Sequence, residues 1–280
     1  MKYGFIGYGK MGSTIINVLL SSKGAQSNEL IIYNRTQTKL DQLSIKYPTI
    51  TIAGSPVEVA EKSGIIFVCT TAGAVPALLK DISRSMGPGN HLIFISGALD
   101  FAYLEKQFAG ALTKTIPSIT LEAGRGVTLV CHNSKVTPAQ KAALQRLLGA
   151  SSKLVEVSEQ RLDDGADFTS TFPAFIAAMM DTWAKMGINN NAYSLEEALA
   201  LVLETLSGTA ILLTDKGFSP EMVRDRVATK GGNTEQGLKV LDKGLPPLFS
   251  EVFEATRRKR RESKASMAKL VENHHSNEFE

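Results

Sequence analysis

Cysteine is almost absent from this sequence. There are two in 280 residues, Cys69 and Cys131, each inside an apolar run. That excludes a disulfide-stapled secreted scaffold and predicts two buried thiols in a reducing compartment. An excess of one charge is missing too. Thirty-one Lys and Arg against 28 Asp and Glu leave a net charge of +3, too little to point to a nucleic-acid partner. No apolar run is read as reaching the ~18 residues of a membrane span. A strand pattern already running from residue 2 is expected to leave no room for a signal peptide. Metal-ligand clusters, a Ser/His/Asp signature and internal repeats are also missing. What remains is an ordinary globular composition, 43% hydrophobic and 21% charged, expected to form about two domains of a soluble cytoplasmic protein without metal, nucleic-acid or membrane partners.

Short apolar runs alternate with helical patterns up to residue 157. Strands are predicted at Tyr3–Ile6, Leu30–Tyr33, Ile65–Cys69, Leu92–Ser96, Leu112–Thr115, Val127–Cys131 and Leu154–Val157. Helices are predicted at Met11–Ser22, Thr36–Tyr47, Pro56–Lys62, Val75–Ser85 and Val136–Leu148. This alternation predicts an α/β fold with a mostly parallel sheet, a Rossmann-type domain over 1–158. Beyond it the strand pattern stops, and Ala, Leu and Met recur at helical spacing. One long apolar helix is predicted from Arg161 to Lys185, and another from Ser194 to Thr214 behind a Ser194–Glu197 capping box. Shorter helices follow at Ser219–Val227, Thr234–Lys243 and Pro247–Lys264. Residues 159–265 thus read as an all-α domain, and 266–280 as a frayed tail in which His274 and His275 are solvent-exposed. A helix apolar on more than one face needs more than one partner, which predicts burial between subunits; the core of one large helical domain is the alternative.

Gly7, Gly9 and Gly12 form G-x-G-x-x-G between a predicted strand and a predicted helix. In that setting Gly7 makes a tight turn, Gly9 admits a pyrophosphate to the backbone, and Gly12 lets helix and strand pack closely. Lys10 and Met11 lie in the same turn, at the helix N-terminus that faces the phosphates. The second strand ends in Asn34-Arg35-Thr36, with no carboxylate to repel a 2′-phosphate and a guanidinium to bind one, which favours NADP(H) over NAD. Asn34 is equally suited to cap the next helix. Thr70, Thr71 and Ala72, at the end of the buried strand Ile65–Cys69, are expected beside the nicotinamide ribose, though a structural turn explains them nearly as well. Late in the chain, Lys230, Gly231, Gly232, Asn233 and Thr234 precede an amphipathic run. Two glycines at a helix start suit an anion, while Asn233 or Thr234 also suits a simple cap.

The glycine opening, the Asn-Arg-Thr after strand two and the late Gly-Gly-x-Thr together resemble the pyrroline-5-carboxylate reductase family, over residues 1 to about 262. The resemblance implies an N-terminal Rossmann domain, an all-helical C-terminal domain that interlocks into homodimers, and in some members decamers. It implies hydride transfer from NADPH to the C=N carbon of a cyclic imino acid. The substrate carboxylate would lie on backbone N–H groups at Gly231-Gly232-Asn233, and Thr234 would face the imine nitrogen as the catalytic residue; Lys230 reads equally as an added charge beside that carboxylate and as a solvated loop lysine. The chain departs from the family at Cys69-Thr70-Thr71 (usually Val-Lys-Pro), at Ser118 (usually Asn), at Ser170-Thr171-Phe172 (usually Gly-Ser-Gly), and at Lys230 and Asn233 (usually Pro and Thr). Ile116–Thr120 is similar to a late-competence branch of spore-forming bacteria. The alternatives are therefore a reductase of another cyclic imine and a non-catalytic NADP-binding regulator. A β-hydroxyacid dehydrogenase has the same layout, but only Lys185 stands on the long helix, outside the Gly-rich motif that group uses. The basic run Arg257–Arg261 reads as a solvated helix end.

Overall fold

A computed structural model describes residues 2–188 and 192–276, with side chains through Val271. The chain divides into a unit of Met1–Pro173 with Arg260–Glu280 and a unit of Ala174–Lys259. In the first, eight strands form one sheet: β1 (Tyr3–Ile6), β2 (Leu30–Tyr33), β3 (Thr51–Ile52), β4 (Ile65–Val68), β5 (His91–Phe94), β6 (Ala111–Ile116), β7 (Gly126–His132) and β8 (Ser152–Glu156). Their order is β3-β2-β1-β4-β5-β6-β7-β8, parallel throughout except for β6 against β7. The central strands are apolar along their whole length because both faces are covered; β4, Ile-Ile-Phe-Val, is buried at all four positions.

Alternate residues feed two cores. Phe5 points to one face, where α1 (Lys10–Ser21), α2 (Thr38–Lys46) and α6 (Pro138–Leu148) bury Ile15, Leu40 and Leu144. Its ring stacks on Phe67 with centroids 4.7 Å apart. Ile6 points to the other face, where α3 (Pro56–Lys62) and α4 (Val75–Ile82) contribute Val59 and Leu79, and α5 (Phe101–Gln107) contributes Leu104. The sequence patterns missed β3, which has two residues, and α5, which at seven residues is no shorter than α3 but lacks the side-chain cap and leading proline that marked α3.

Four expectations are corrected among the helices. The first long helix is two, α7 (Glu159–Thr169) and α8 (Phe172–Gly187). Pro173 has no N–H to bond the Thr169 carbonyl and its ring crowds that turn, so the helix restarts there. By contrast, the two helices expected around Pro246-Pro247 are one, α11 (Asn233–Ser276). The adjacent prolines remove two donors, but their fixed φ is compatible with a helix, and the helix runs on through them. The tail expected to fray from 266 is helical through Ser276, and Met267 and Val271 pack against the second core. The side chains of His274 and His275 lie outside the described ones. Finally, α9 (Leu195–Thr214), capped as expected by Ser194 with Glu197, is long and apolar enough by length and composition to cross a membrane.

The second unit holds most of α8, then α9, α10 (Pro220–Val227) and the first part of α11. Among its described residues only Ala184 is buried. Trp183, Met186, Leu201 and Leu248 are exposed, and α8 with α11 line an apolar groove of about 740 Å³ through Met179, Trp183, Leu241 and Leu245. An isolated chain leaves this unit without a core of its own.

Candidate active site

Three strand ends meet at Gly7. Its φ of +109° is in the region side chains avoid. Its N–H donates to the Tyr33 carbonyl at 2.8 Å, at the end of β2, and a β-carbon on it would stand 2.7 Å from the Cys69 carbonyl oxygen, just past β4. Gly12, in the first turn of α1, is equally tight: a β-carbon would collide with the Gly7 carbonyl oxygen. Gly9 is the opposite, with nothing within 4 Å of where a β-carbon would point. It caps α1 without a side chain, and the N–H groups of Lys10, Met11 and Gly12 have no partner among the described residues. The result is an open backbone cradle of donors at a positive helix end, fitted to a pyrophosphate.

At the end of β2, Asn34 ties the cradle together. Its Oδ1 accepts from the Tyr8 N–H at 2.9 Å and its Nδ2 donates to the Thr36 carbonyl at 2.8 Å. Its side chain therefore holds the loop. Arg35 and Thr36 are exposed, and the Arg35 guanidinium makes no hydrogen bond to any described residue. On the other side of β1, Thr70 follows β4 with its Oγ1 buried and unpartnered among the described residues. Thr71 is exposed and Ala72 half-buried, leading into a short turn closed by the Ala74 N–H on the Thr71 carbonyl at 2.9 Å. Cys69 is half-buried rather than fully buried, and desolvation pushes its thiol up to about 12, so it is inert at neutral pH. This crevice lies where β1 stands between β2 and β4, the switch point of the sheet. Open glycine, free helix donors, a free guanidinium and an orphan hydroxyl together fit a phosphorylated dinucleotide.

The neighbouring loops hold residues whose contacts the sequence does not show. Ser118, in the family's Asn position, donates to the Thr169 carbonyl at 2.8 Å and accepts from the Thr120 hydroxyl at 2.9 Å, which pins the loop after β6 to α7. Lys114 is 1% exposed, pairs with Glu159 at 2.8 Å and lies 5.5 Å over the Phe101 ring. Arg260, within the basic run expected to be solvated, is instead paired with Asp167 at 2.5 and 3.3 Å. A lone buried lysine or aspartate carries no sequence signal until its partner, 45 or 93 residues away, is known.

The late glycine loop lies in the second unit. Gly231 has φ +77° with open space around it, and the Gly232 N–H closes the turn on the Thr229 carbonyl at 2.9 Å. The chain then enters α11. The N–H groups of Asn233, Thr234 and Glu235 have no partner among the described residues, and neither the Asn233 nor the Thr234 side chain makes a capping bond. Thr234 and Lys230 are exposed. One donor is taken: the Gly231 N–H donates to the Glu235 carboxylate at 2.8 Å. Beside the loop, Arg224, Lys230, Lys239 and Asp242 line a charged cleft of about 460 Å³.

Residues 159–263 match the family model described as pyrroline-5-carboxylate reductase dimerisation, and residues 2–96 the one described as NADP oxidoreductase coenzyme F420-dependent. The pyrroline-5-carboxylate reductase 3 of Bacillus subtilis (strain 168) is 34% identical over 260 residues, 92% of this chain and 95% of that protein. The chain belongs to the pyrroline-5-carboxylate reductase family. It is an NADP(H)-dependent oxidoreductase of the class acting on CH–NH bonds, and its helical region is the family's dimerisation domain. ComE operon protein 4 of the same organism is 27% identical, covering 96% of this chain and 98% of that one. The fold matches the solved pyrroline carboxylate reductase of Plasmodium falciparum, at 22% identity, with a TM-score of 0.82 over 95% of this chain and 97% of that one.

Proposed function

We propose that this chain reduces a cyclic imino acid, pyrroline-5-carboxylate, to proline with NADPH, and that it works as a cytoplasmic homodimer. The observation that carries the reading is the Gly231 turn feeding three unpartnered N–H groups at the start of α11, with the Thr234 hydroxyl free beside them. In this reading the N–H groups of Asn233, Thr234 and Glu235 hold the substrate carboxylate, helped by the helix dipole and by Lys230. The Thr234 hydroxyl bonds the ring nitrogen and keeps its proton in place as the C=N bond becomes CH–NH. Gly7, Gly9, Lys10, Met11 and Gly12 hold the pyrophosphate of the cofactor, and Arg35 with Thr36 holds its 2′-phosphate. Asn34 orders that loop, and Thr70, Thr71 and Ala72 border the nicotinamide ribose. When bound, reduced nicotinamide supplies the hydride for the imine carbon. The exposed apolar surfaces of α8 and α9 belong, on this reading, to the subunit interface and not to a bilayer.

A second reading rests on Glu235, whose carboxylate already occupies a loop donor and opposes a second anion. It predicts a cyclic imine without a carboxylate, or a regulator that binds cofactor without turnover. A panel of carboxylated and uncarboxylated cyclic imines with NADPH separates the readings. Turnover confined to pyrroline-5-carboxylate supports the first, turnover of the uncarboxylated imines supports the second, and cofactor binding without consumption supports the regulator.

A further inference from the structure

The family match ends at residue 263, yet α11 continues to Ser276. The stretch beyond that match does not stand in solvent on all sides. Lys264 Nζ contacts Asp163 Oδ2 at 2.5 Å. The other oxygen of that carboxylate stands 2.5 Å from where a β-carbon on Gly97 would lie, in the loop after β5. One and two turns further on, Met267 and Val271 join the second core. Between them, Leu270 places its Cδ1 4.0 Å from where a Gly73 β-carbon would stand, in the turn after Thr70-Thr71-Ala72. The extension thus lies beside the turn after β4 through Leu270 and reaches the loop after β5 only through Asp163 of α7.

Those ends have a defined place in the crevice. The pyrophosphate cradle is at β1, and Arg35 draws the adenosine end toward β2. The nicotinamide half is left to the β4 and β5 side of the sheet. We infer that the C-terminal extension of α11 is a brace for the nicotinamide half of the cofactor site. Lys264, acting through Asp163, and Leu270, acting through Gly73, are positioning residues that hold the loops after β5 and β4. The loops themselves carry few constraints: the turn at Ala72–Ala74 has no side-chain cap, and the loop after β5 is held locally by the Ala98 N–H on Ser96 Oγ at 3.1 Å. Packing from outside therefore sets how rigid they are. This rests on the assignment of Thr70–Ala72 to the cofactor.

The test uses the full-length protein and two ligands. NADPH engages both halves of the crevice; adenosine 2′,5′-bisphosphate engages only the adenosine half. The double variant Lys264→Ala/Leu270→Ala, and the milder Lys264→Gln and Leu270→Ala singly, are compared with the exposed control Lys269→Ala. Expected in the double variant is an NADPH Kd raised roughly 2- to 30-fold, a range typical of residues acting through a neighbour. Its affinity for adenosine 2′,5′-bisphosphate stays at the wild-type value, the singles fall between, and the control is unchanged. Equal weakening of both ligands would mean general loosening and would overturn the brace, as would an unchanged NADPH Kd. A wild-type protein that binds neither ligand would instead overturn the cofactor assignment beneath it.

Discussion

Arg35 and His91 show how much rests on single side chains. Arg35 is exposed and unpaired among the described residues at the end of β2, where a 2′-phosphate gives it a charge-assisted partner. Arg35→Ala should raise the KM for NADPH about 10- to 100-fold, the worth of hydrogen bonds to a charged group, and leave the KM for NADH unchanged. Equal effects on both cofactors would remove Arg35 from the phosphate site. His91 has no exposed surface, and its Nε2 is hydrogen-bonded to Thr113 Oγ1 at 2.6 Å, which in turn is hydrogen-bonded to His132 Nδ1 at 2.7 Å. Burial first, and His132 second, pull the His91 imidazole from 6.5 down to about 4. The unfolded chain therefore takes up a proton that the folded chain refuses. Stability from this group is full above pH 6.5 and falls as pH drops toward 4, by about 3 kcal/mol in all. His91→Gln should flatten unfolding free energy against pH across that window, read from urea melts. A slope equal to wild type would place the acid sensitivity elsewhere.

Among the elements, α7 gathers ion pairs that the linear sequence hides. Asp167, with a side chain 2% exposed, depends on Arg260 for its partner. Arg260→Met should cost about 3 kcal/mol, the low end for a buried pair because Arg260 remains 21% exposed. Asp167→Leu/Arg260→Met should recover most of it, since no buried charge is then left alone. Thermal unfolding of the two variants checks this; a double variant no better than the single one contradicts it. This pair also shows where sequence reading stops. The strands β1, β2 and β4, the helix α3 and the Ser194 cap were legible because period, propensity and capping act within a few residues. The glycine cradle was legible for the same reason. Arg260 looked like one member of a basic run, and the prolines at 246 and 247 looked like a helix boundary. The second turns on whether the fixed φ of proline or its missing N–H decides, which pattern alone does not settle; the first depends on Asp167, a tertiary neighbour that local pattern does not contain. The anchoring role of Asn34, bonded to Tyr8 across 26 residues, was hidden in the same way.

At the scale of the molecule, the second unit is explained by what is missing from its interior. A helix such as α9, 20 residues long with a mean hydropathy of 1.5 and no buried residue, is sound only if another surface covers it. The dimerisation match over 159–263 spans this helix, and on the proposed reading the partner subunit supplies that surface. Trp183→Glu, at a position 61% exposed on the apolar groove, should convert a dimer to monomer in sedimentation velocity. An unchanged sedimentation coefficient would move the interface off α8.

The most direct measurement is steady-state NADPH oxidation with pyrroline-5-carboxylate, comparing wild type with Thr234→Ala. Wild type should turn over, and Thr234→Ala should lose about 10²-fold in kcat/KM, the contribution of one positioned proton-holding group, with NADPH affinity unchanged. Turnover by Thr234→Ala equal to wild type, or a wild-type protein that binds NADPH and leaves the imino acid untouched, would contradict the account.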